Sequence, residues 1–226
     1  MQTRLPHPLP NETEEYRAAR NALLDAEAEL RAAVEAVAEK RRSLPPGGAI
    51  PEDYAFTEWH DDGPRTTRLS DLFAPGKDSL ILYSYMYGPQ NEAPCPACTS
   101  LLDGWNGIAP HVRARVNLAI VVGSPVERLR DIARQRNWTG FRLLSAMETT
   151  YNADYMGENP DGDPVPMCTV FQRTGDSIRH FWSSELLFAE APGHPRHMDQ
   201  TWPLWNMLDL VPEGRGSDWG PRLNYD

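Results

Sequence analysis

The chain has 226 residues, with 22 basic and 32 acidic side chains, a formal net charge of −10, 40% hydrophobic residues and 24% charged ones. At this size a single core can bury roughly 70% of the unfolded surface, and the composition excludes wholesale disorder, a collagen-like chain and a coiled coil throughout. An acidic surface repels phosphate backbones and anionic lipid, so neither nucleic acid nor a membrane is an expected partner; with no long apolar run and no signal-like N-terminus, the expected location is the cytoplasm.

Residues 1–10 are proline-rich and aperiodic and read as a loose tail. Asn11 with Glu14 three residues later has the form of a capping box, so a helical arm is expected over 11–44. It holds no Gly or Pro from Glu12 to Ser43, and Tyr16, Leu23, Leu30 and Val37 recur every seven residues with Ala19, Ala26 and Ala33 between them. That is one apolar stripe on a helix reaching about 48 Å. A homodimer through this helix and a helix lying across its own domain are both compatible with the stripe. Pro45-Pro46-Gly47-Gly48 ends the arm and opens a second domain over 45–226.

There the pattern changes. Residues 79–87 (SLILYSYMY) form an unbroken apolar and aromatic run, as expected of a central strand, stopped by Gly88-Pro89. A helix over 99–108, a strand over 117–123, and a helix from Ser124-Pro125 to about Arg136 follow. A short strand at 141–145, a hairpin of 167–173 and 177–182 around Thr174-Gly175-Asp176, and a closing helix at 202–210 complete a mixed α/β sheet flanked by helices.

Of three cysteines, Cys95 and Cys98 form a Cys-x-x-Cys, which in a cytosolic chain suggests redox or metal chemistry. Pro96 suits the first turn of a helix, and three helical residues bring two Cα atoms to about 5–6 Å, within disulfide reach. Cys95 then sits over orphan N–H groups at the positive helix end, and Cys98 lies one turn inside. Cys95 is the expected nucleophile and Cys98 the resolving thiol. A thiol of pKa about 8.5 is only ~3% ionised at pH 7, whereas one near 6.5 is roughly three-quarters ionised. Residues 78–110 hold no Lys or Arg, and Glu92 and Asp103 oppose ionisation. The helix end must supply most of the activation, so moderate acidity is expected, not a pKa below about 5.

The strand, Gly-Pro, CPxC, helix order resembles thioredoxin-fold oxidoreductases. More widely the chain is similar to the DUF899 group of bacterial thioredoxin-like proteins. The motifs that carry this run from Arg41-Arg42-Ser43-Leu44-Pro45 through Asp53-Tyr54-Ala55-Phe56, Leu69-Ser70-Asp71-Leu72-Phe73, Tyr87-Gly88-Pro89 and the CPAC to Ser124-Pro125, Asn137-Trp138, Thr150-Tyr151-Asn152 and Asp209-Leu210-Val211-Pro212. Ser84 stands where a histidine of the family's central strand is expected, and Ser100-Leu101 where an aromatic pair is expected. The resemblance implies a thioredoxin-like mixed sheet, dithiol chemistry without a bound cofactor, and a cis-proline opposite the dithiol. Val165-Pro166, before Met167, is the expected bond, and Asp161-Gly162-Asp163-Pro164 equally allows a plain loop.

The expected activity is thiol–disulfide exchange on a protein or small-molecule thiol or disulfide, with a thioredoxin or glutathione system as electron donor. Tyr87, Trp182 and Trp202 are candidates for an apolar groove beside the dithiol. The alternative is a non-catalytic binding protein on the same fold, for a small molecule or a soft metal ion. A Cys₃His zinc site would need Cys168 with His111 or His180, and no metal site is expected. Cys168 reads as a small core residue, and His194 and His197 as solvated loop residues. A peroxiredoxin would want Thr or Ser three positions before its reactive cysteine, where Glu92 stands. Neither a nucleotide fingerprint nor Gly-x-Ser-x-Gly is present.

Overall fold

The computed structural model describes residues 6–7, 9–190 and 196–225. The chain divides into two compact units, Met1–Pro45 and Pro46–Asp226.

The first unit is built on α1, Glu14–Arg42. Its N-cap is Thr13, not the expected Asn11. A cap residue needs extended backbone, which Thr13 has at φ −82° and ψ 159°, while Asn11 sits in the left-handed region at φ 58°. The Thr13 hydroxyl accepts the Tyr16 N–H at 3.1 Å, and Glu12 instead pairs with Arg17. Acidic Glu14 and Glu15 lie in the first turn and Lys40, Arg41 and Arg42 in the last, each matching the helix dipole.

The second unit is a seven-stranded mixed sheet. Its strands are β1 (Ala55–His60), β2 (Gly63–Arg68), β3 (Ser79–Ser84), β4 (Asn117–Val122), β5 (Arg142–Ser145), β6 (Met167–Thr174) and β7 (Ser177–Ser183), in the order β2-β1-β5-β4-β3-β6-β7. β3 with β4 and β4 with β5 are parallel, and the remaining pairs are antiparallel. This is a mixed sheet flanked by helices, as expected from the order of strands and helices in the sequence. The two parallel crossovers carry α2 (Pro96–Arg113) and α3 (Val126–Gln135). Both step in the same direction along the sheet, so right-handed connections put both helices on one face.

Side-chain alternation divides the core accordingly. Tyr83, Leu118, Ile120, Val122 and Cys168 join Leu101, Leu102, Trp105 and Leu129 under α2 and α3. Leu80, Leu82, Ala119, Val121 and Phe171 join Tyr54, Phe56, Leu69 and Tyr151, the first residue of α4 (Tyr151–Asp154), on the other face. A buried Asn117 ties the start of β4 to its surroundings. Its Oδ1 accepts the Ala74 N–H at 3.0 Å, and its Nδ2 donates to the Lys77 and Ser79 carbonyls at 3.1 and 2.9 Å.

The structure departs from the expectations in several elements. β3 stops at Ser84 instead of 87: the Tyr85 N–H still reaches the Val121 carbonyl at 2.8 Å, and the Tyr87 N–H then turns back to the Tyr85 carbonyl at 2.7 Å. The helix expected over 99–108 is longer at both ends, starting at Pro96 and passing through Pro110 to Arg113. The β1–β2 hairpin is an element that the hydrophobic pattern does not announce, because the inward position after Phe56 is the charged Glu58. The closing helix is α5, Pro203–Leu208, shorter than expected.

Candidate active site: the N-terminus of α2

Cys95 is the N-cap of α2, and Pro96 follows at the first helical position, where its missing N–H costs nothing. Several bonds hold this corner. The Cys95 N–H donates to the Met86 carbonyl at 3.1 Å, closing the loop after β3, and Asn91 Oδ1 accepts the Gly88 N–H at 2.8 Å inside that loop. The Cys95 carbonyl accepts both the Thr99 N–H at 3.0 Å and the Thr99 hydroxyl at 2.8 Å. Since that hydroxyl has one hydrogen, the 2.6 Å contact between the Tyr85 and Thr99 oxygens is a bond in which Tyr85 donates. Glu92 is exposed in the loop.

The two thiols are unlike. Cys95 is half-buried and Cys98 is buried, and both are unbridged. The Cys95 Sγ accepts the Cys98 N–H at 3.4 Å. The Cys95 thiol is lowered from 9.0 to about 6. Hydrogen bonding from the Cys98 thiol is the main cause, burial opposes it, and the backbone N–H groups of Cys98 and Ala97 add to it. No cation is among the causes. The guanidinium of Arg128, which reaches this loop from α3, is engaged elsewhere: it lies 4.1 Å over the Tyr87 ring and donates to the carbonyls of Gly88, Pro89 and Asn91. Cys98 moves the other way, well above the ordinary thiol, because it is the donor to Cys95 and because it is buried; the Tyr83 hydroxyl and the Met86 backbone partly counter this. The two shifts run in opposite directions, favouring the thiolate at Cys95 and the thiol at Cys98.

The surroundings are aromatic and sulfur-rich. Cys95, Tyr87 and Trp182 belong to one cluster with Cys98, Tyr83, Tyr85, Trp105, Cys168, Met86, Met198 and Trp202. Val165 and Pro166 are not part of it. Val165 donates its N–H to the Gly157 carbonyl at 2.9 Å, and Pro166 directly precedes Met167, which stands opposite Ser84 at the end of β3.

The segment after β7 returns to α2. Trp202 Nε1 donates to the Ser100 hydroxyl at 3.1 Å, which itself donates to the Ala97 carbonyl at 2.8 Å. Trp105 Nε1 donates to the Thr201 carbonyl at 2.8 Å, and a Cβ at Gly104 would come within 2.9 Å of the Pro203 ring. Tyr83 and Ser100 are site residues that sequence reasoning missed. The signal for Tyr83 was present: residues 81, 83, 85 and 87 share one face of the strand expected over 79–87, which leads into the CPAC helix.

Cys168 lies opposite Tyr83 in the β3–β6 register, in the cluster under α2. His180 stacks on Tyr155 at 6.0 Å beside Phe171, which belongs to the other face, and its Nε2 meets the Ser183 hydroxyl at 2.8 Å. His111 lies in the last turn of α2, the end away from Cys95. Among the described residues no group of three or more His, Cys, Asp or Glu side chains is placed to hold a metal ion, so the zinc reading of Cys168 with either histidine has no ligand set. His197 is partly buried; His194 lies outside the described residues. Among the described residues, no helix is long and apolar enough to cross a membrane.

The family described as "Bacterial protein of unknown function (DUF899)" matches residues 6–225. No curated protein matches the chain. Among solved structures it is similar to peroxidoxin BcpB from Mycobacterium tuberculosis, at 19% identity over 71% of this chain and 95% of that chain, with a TM-score of 0.47. It is also similar to a cysteine-to-serine mutant of PrxQ from Xylella fastidiosa, at 15% identity over 73% and 97% with a TM-score of 0.46. An uncharacterized conserved protein from Geobacillus kaustophilus matches at 14% identity over 67% and 74%, with a TM-score of 0.44.

Proposed function

The chain belongs to the DUF899 family of bacterial proteins, and from the site it carries we propose that it is a thiol–disulfide oxidoreductase with Cys95 as nucleophile and Cys98 as resolving thiol. One observation carries the reading: a half-buried thiol at a helix N-cap, lowered to about 6 by hydrogen bonds without help from a cation, backed one turn later by a buried protonated thiol. A structural thiol pair has no use for that asymmetry.

The Cys95 thiolate attacks one sulfur of a substrate disulfide and forms a mixed disulfide, and the other substrate sulfur leaves as a thiolate that takes a proton from solvent. Cys98 then loses its proton and attacks the Cys95 sulfur. The Cys95–Cys98 disulfide forms, the second substrate sulfur leaves, and two electrons have passed from the dithiol to the substrate. A thioredoxin or glutathione system returns them by the reverse exchange. Departure of the Cys98 proton is eased once Cys95 is in the mixed disulfide, because the neighbouring negative charge is gone. Tyr83, whose hydroxyl bonds to Cys98, is a positioning residue for that step. Trp182, partly exposed, is the apolar wall against which a substrate lies, while Tyr87, buried under the Arg128 guanidinium, backs the site from inside, and Val165-Pro166 supplies backbone opposite the dithiol. A dithiol of this kind works in a reducing compartment, and the cytoplasm is the compartment that suits it.

The test is an equilibrium redox titration of the metal-free protein in glutathione or dithiothreitol buffers, counting alkylated Cys95 and Cys98 by mass. A reversible two-electron transition between about −120 and −270 mV is the expected result. A pair that never closes, or closes only under harsh oxidant, overturns the proposal in favour of a binding role, which a Cys95→Ser variant would retain.

A further inference from the structure

The apolar stripe of α1 is exposed. Tyr16 and Leu23 are each 51% exposed, Leu30 65% and Val37 45%, and Ala26 and Ala33 between them are exposed as well. Val34, four residues after Leu30, widens the stripe at its centre. A row of large apolar side chains in water marks an interaction surface, and two features of the helix point to a second copy of this chain as its occupant.

The first is the alternation of large and small residues. When two such helices run parallel, Leu23 stacks on its own equivalent and Ala26 on its own, which leaves thick and empty layers in turn. When they run antiparallel about a dyad near residue 28, each layer from residue 19 to residue 37 pairs large with small. Leu23 meets Ala33 of the partner subunit, Leu30 meets Ala26 of the partner subunit, and Val37 meets Ala19 of the partner subunit. Uniform layers are what close packing requires.

The second is charge. α1 begins with Glu14 and Glu15 and ends with Lys40, Arg41 and Arg42. Antiparallel association brings the acidic end of each helix to the basic end of the other and opposes their dipoles favourably. Parallel association sets acid on acid and base on base.

We propose that the exposed stripe of α1 is a self-association surface, and that two copies of the chain dimerise through it with their α1 helices antiparallel. The stripe belongs to the first unit and the dithiol to the second, and the association experiment below reads mass alone, so its outcome is separate from that of the redox titration.

The experiment uses the full chain in analytical ultracentrifugation over micromolar concentrations, at low and at high salt. The expected mass is twice 25.5 kDa. A single 25.5 kDa species at every concentration overturns the proposal. The Leu23→Glu/Leu30→Glu variant should sediment as a monomer with unchanged helical circular dichroism, and a dimer of unchanged affinity would remove α1 from the interface. Charge reversal reads the orientation. Glu14→Lys/Glu15→Lys and Arg41→Glu/Arg42→Glu should each weaken association at least tenfold alone and regain it when mixed. If each variant self-associates as tightly as the parent, the antiparallel arrangement is wrong.

Discussion

A buried carboxylic acid and a half-buried thiol in this protein both have their ionised forms favoured, and they are stabilised by different means. Glu58, on β1, receives two bonds from the Arg142 guanidinium on β5, both at 2.6 Å, one from the Thr67 hydroxyl at 2.7 Å, and has His60 Nε2 at 3.2 Å. Burial would raise its carboxyl, and these partners more than offset it, holding it below the ordinary range. At Cys95 no cation contributes; the thiolate is held by a neighbouring S–H and by two backbone N–H groups at a helix end, and it remains half-buried instead of enclosed. An anion whose lone pairs are filled by a guanidinium and a hydroxyl is inert and fastens the β1–β2 hairpin to the sheet. An anion held by weak donors and open on one side keeps its nucleophilicity. Both sites lower a pKa, so the shift alone does not separate structure from chemistry; the partners do.

That contrast can be broken most severely at the dithiol. Cys95→Ser should abolish disulfide reduction, and Cys98→Ser should leave turnover lost but the mixed disulfide trapped, visible as one substrate adduct by intact mass. Equal behaviour of the two variants would remove the distinction between nucleophile and resolving thiol.

At the carboxylate the expected effect is on stability alone. Arg142→Ala leaves Glu58 buried beside weaker partners and should cost about 3 kcal/mol in urea unfolding at pH 7, with the pH of Cys95 alkylation unchanged. The sign with pH follows from a depressed folded-state pKa. The stability contributed by Glu58 is present above its unfolded value of about 4.5 and is lost as pH falls through the lower folded value. The parent therefore loses more stability than the variant on acidification.

Alkylation of Cys95 by iodoacetamide should titrate with a midpoint near pH 6, while Cys98 stays unreactive until well above pH 9, as its raised pKa requires. In the reduced protein the same depressed pKa adds stability as pH rises from about 6 towards 9, since the unfolded thiol keeps its proton longer. The Cys95–Cys98 disulfide form has no such titration and should lack that slope. A common midpoint for both thiols would contradict the asymmetry of the pair.

The smallest effect is expected at Tyr83→Phe. Losing one hydrogen bond to Cys98, worth about 1 kcal/mol, should slow release of the mixed disulfide roughly fivefold and raise the Cys98 pKa further, with the first attack by Cys95 unaltered. Unchanged release would mean that the phenol only fills space.

Much of this was legible along the chain wherever a local pattern and its tertiary role agree. The buried run of 79–87, the turn at Thr174-Gly175-Asp176, where Gly175 takes φ 59°, and the proline-led CPAC helix were all recoverable from period, turn chemistry and capping. β1 was hidden because its inward Glu58 needs Arg142, 84 residues away, to make a charged residue acceptable in the interior. Trp202 was readable as a candidate for the groove, but its bond to Ser100 spans 102 residues and has no local trace. The capping box failed for the opposite reason: Asn11 and Thr13 are both competent caps, and only the backbone conformation chose between them.

Local pattern alone was thus enough for the α/β class, the long arm with its sevenfold stripe, and a dithiol at the start of a helix, because these depend on interactions within a few residues. How deeply each thiol is buried, which aromatic rings surround the pair, and the placing of Cys168 and His180 on opposite faces of one sheet were set only when the sheet assembled. Those properties depend on burial and on partners that arrive from distant strands, and a hydrogen bond or a desolvated thiol exists only after those strands have been brought together.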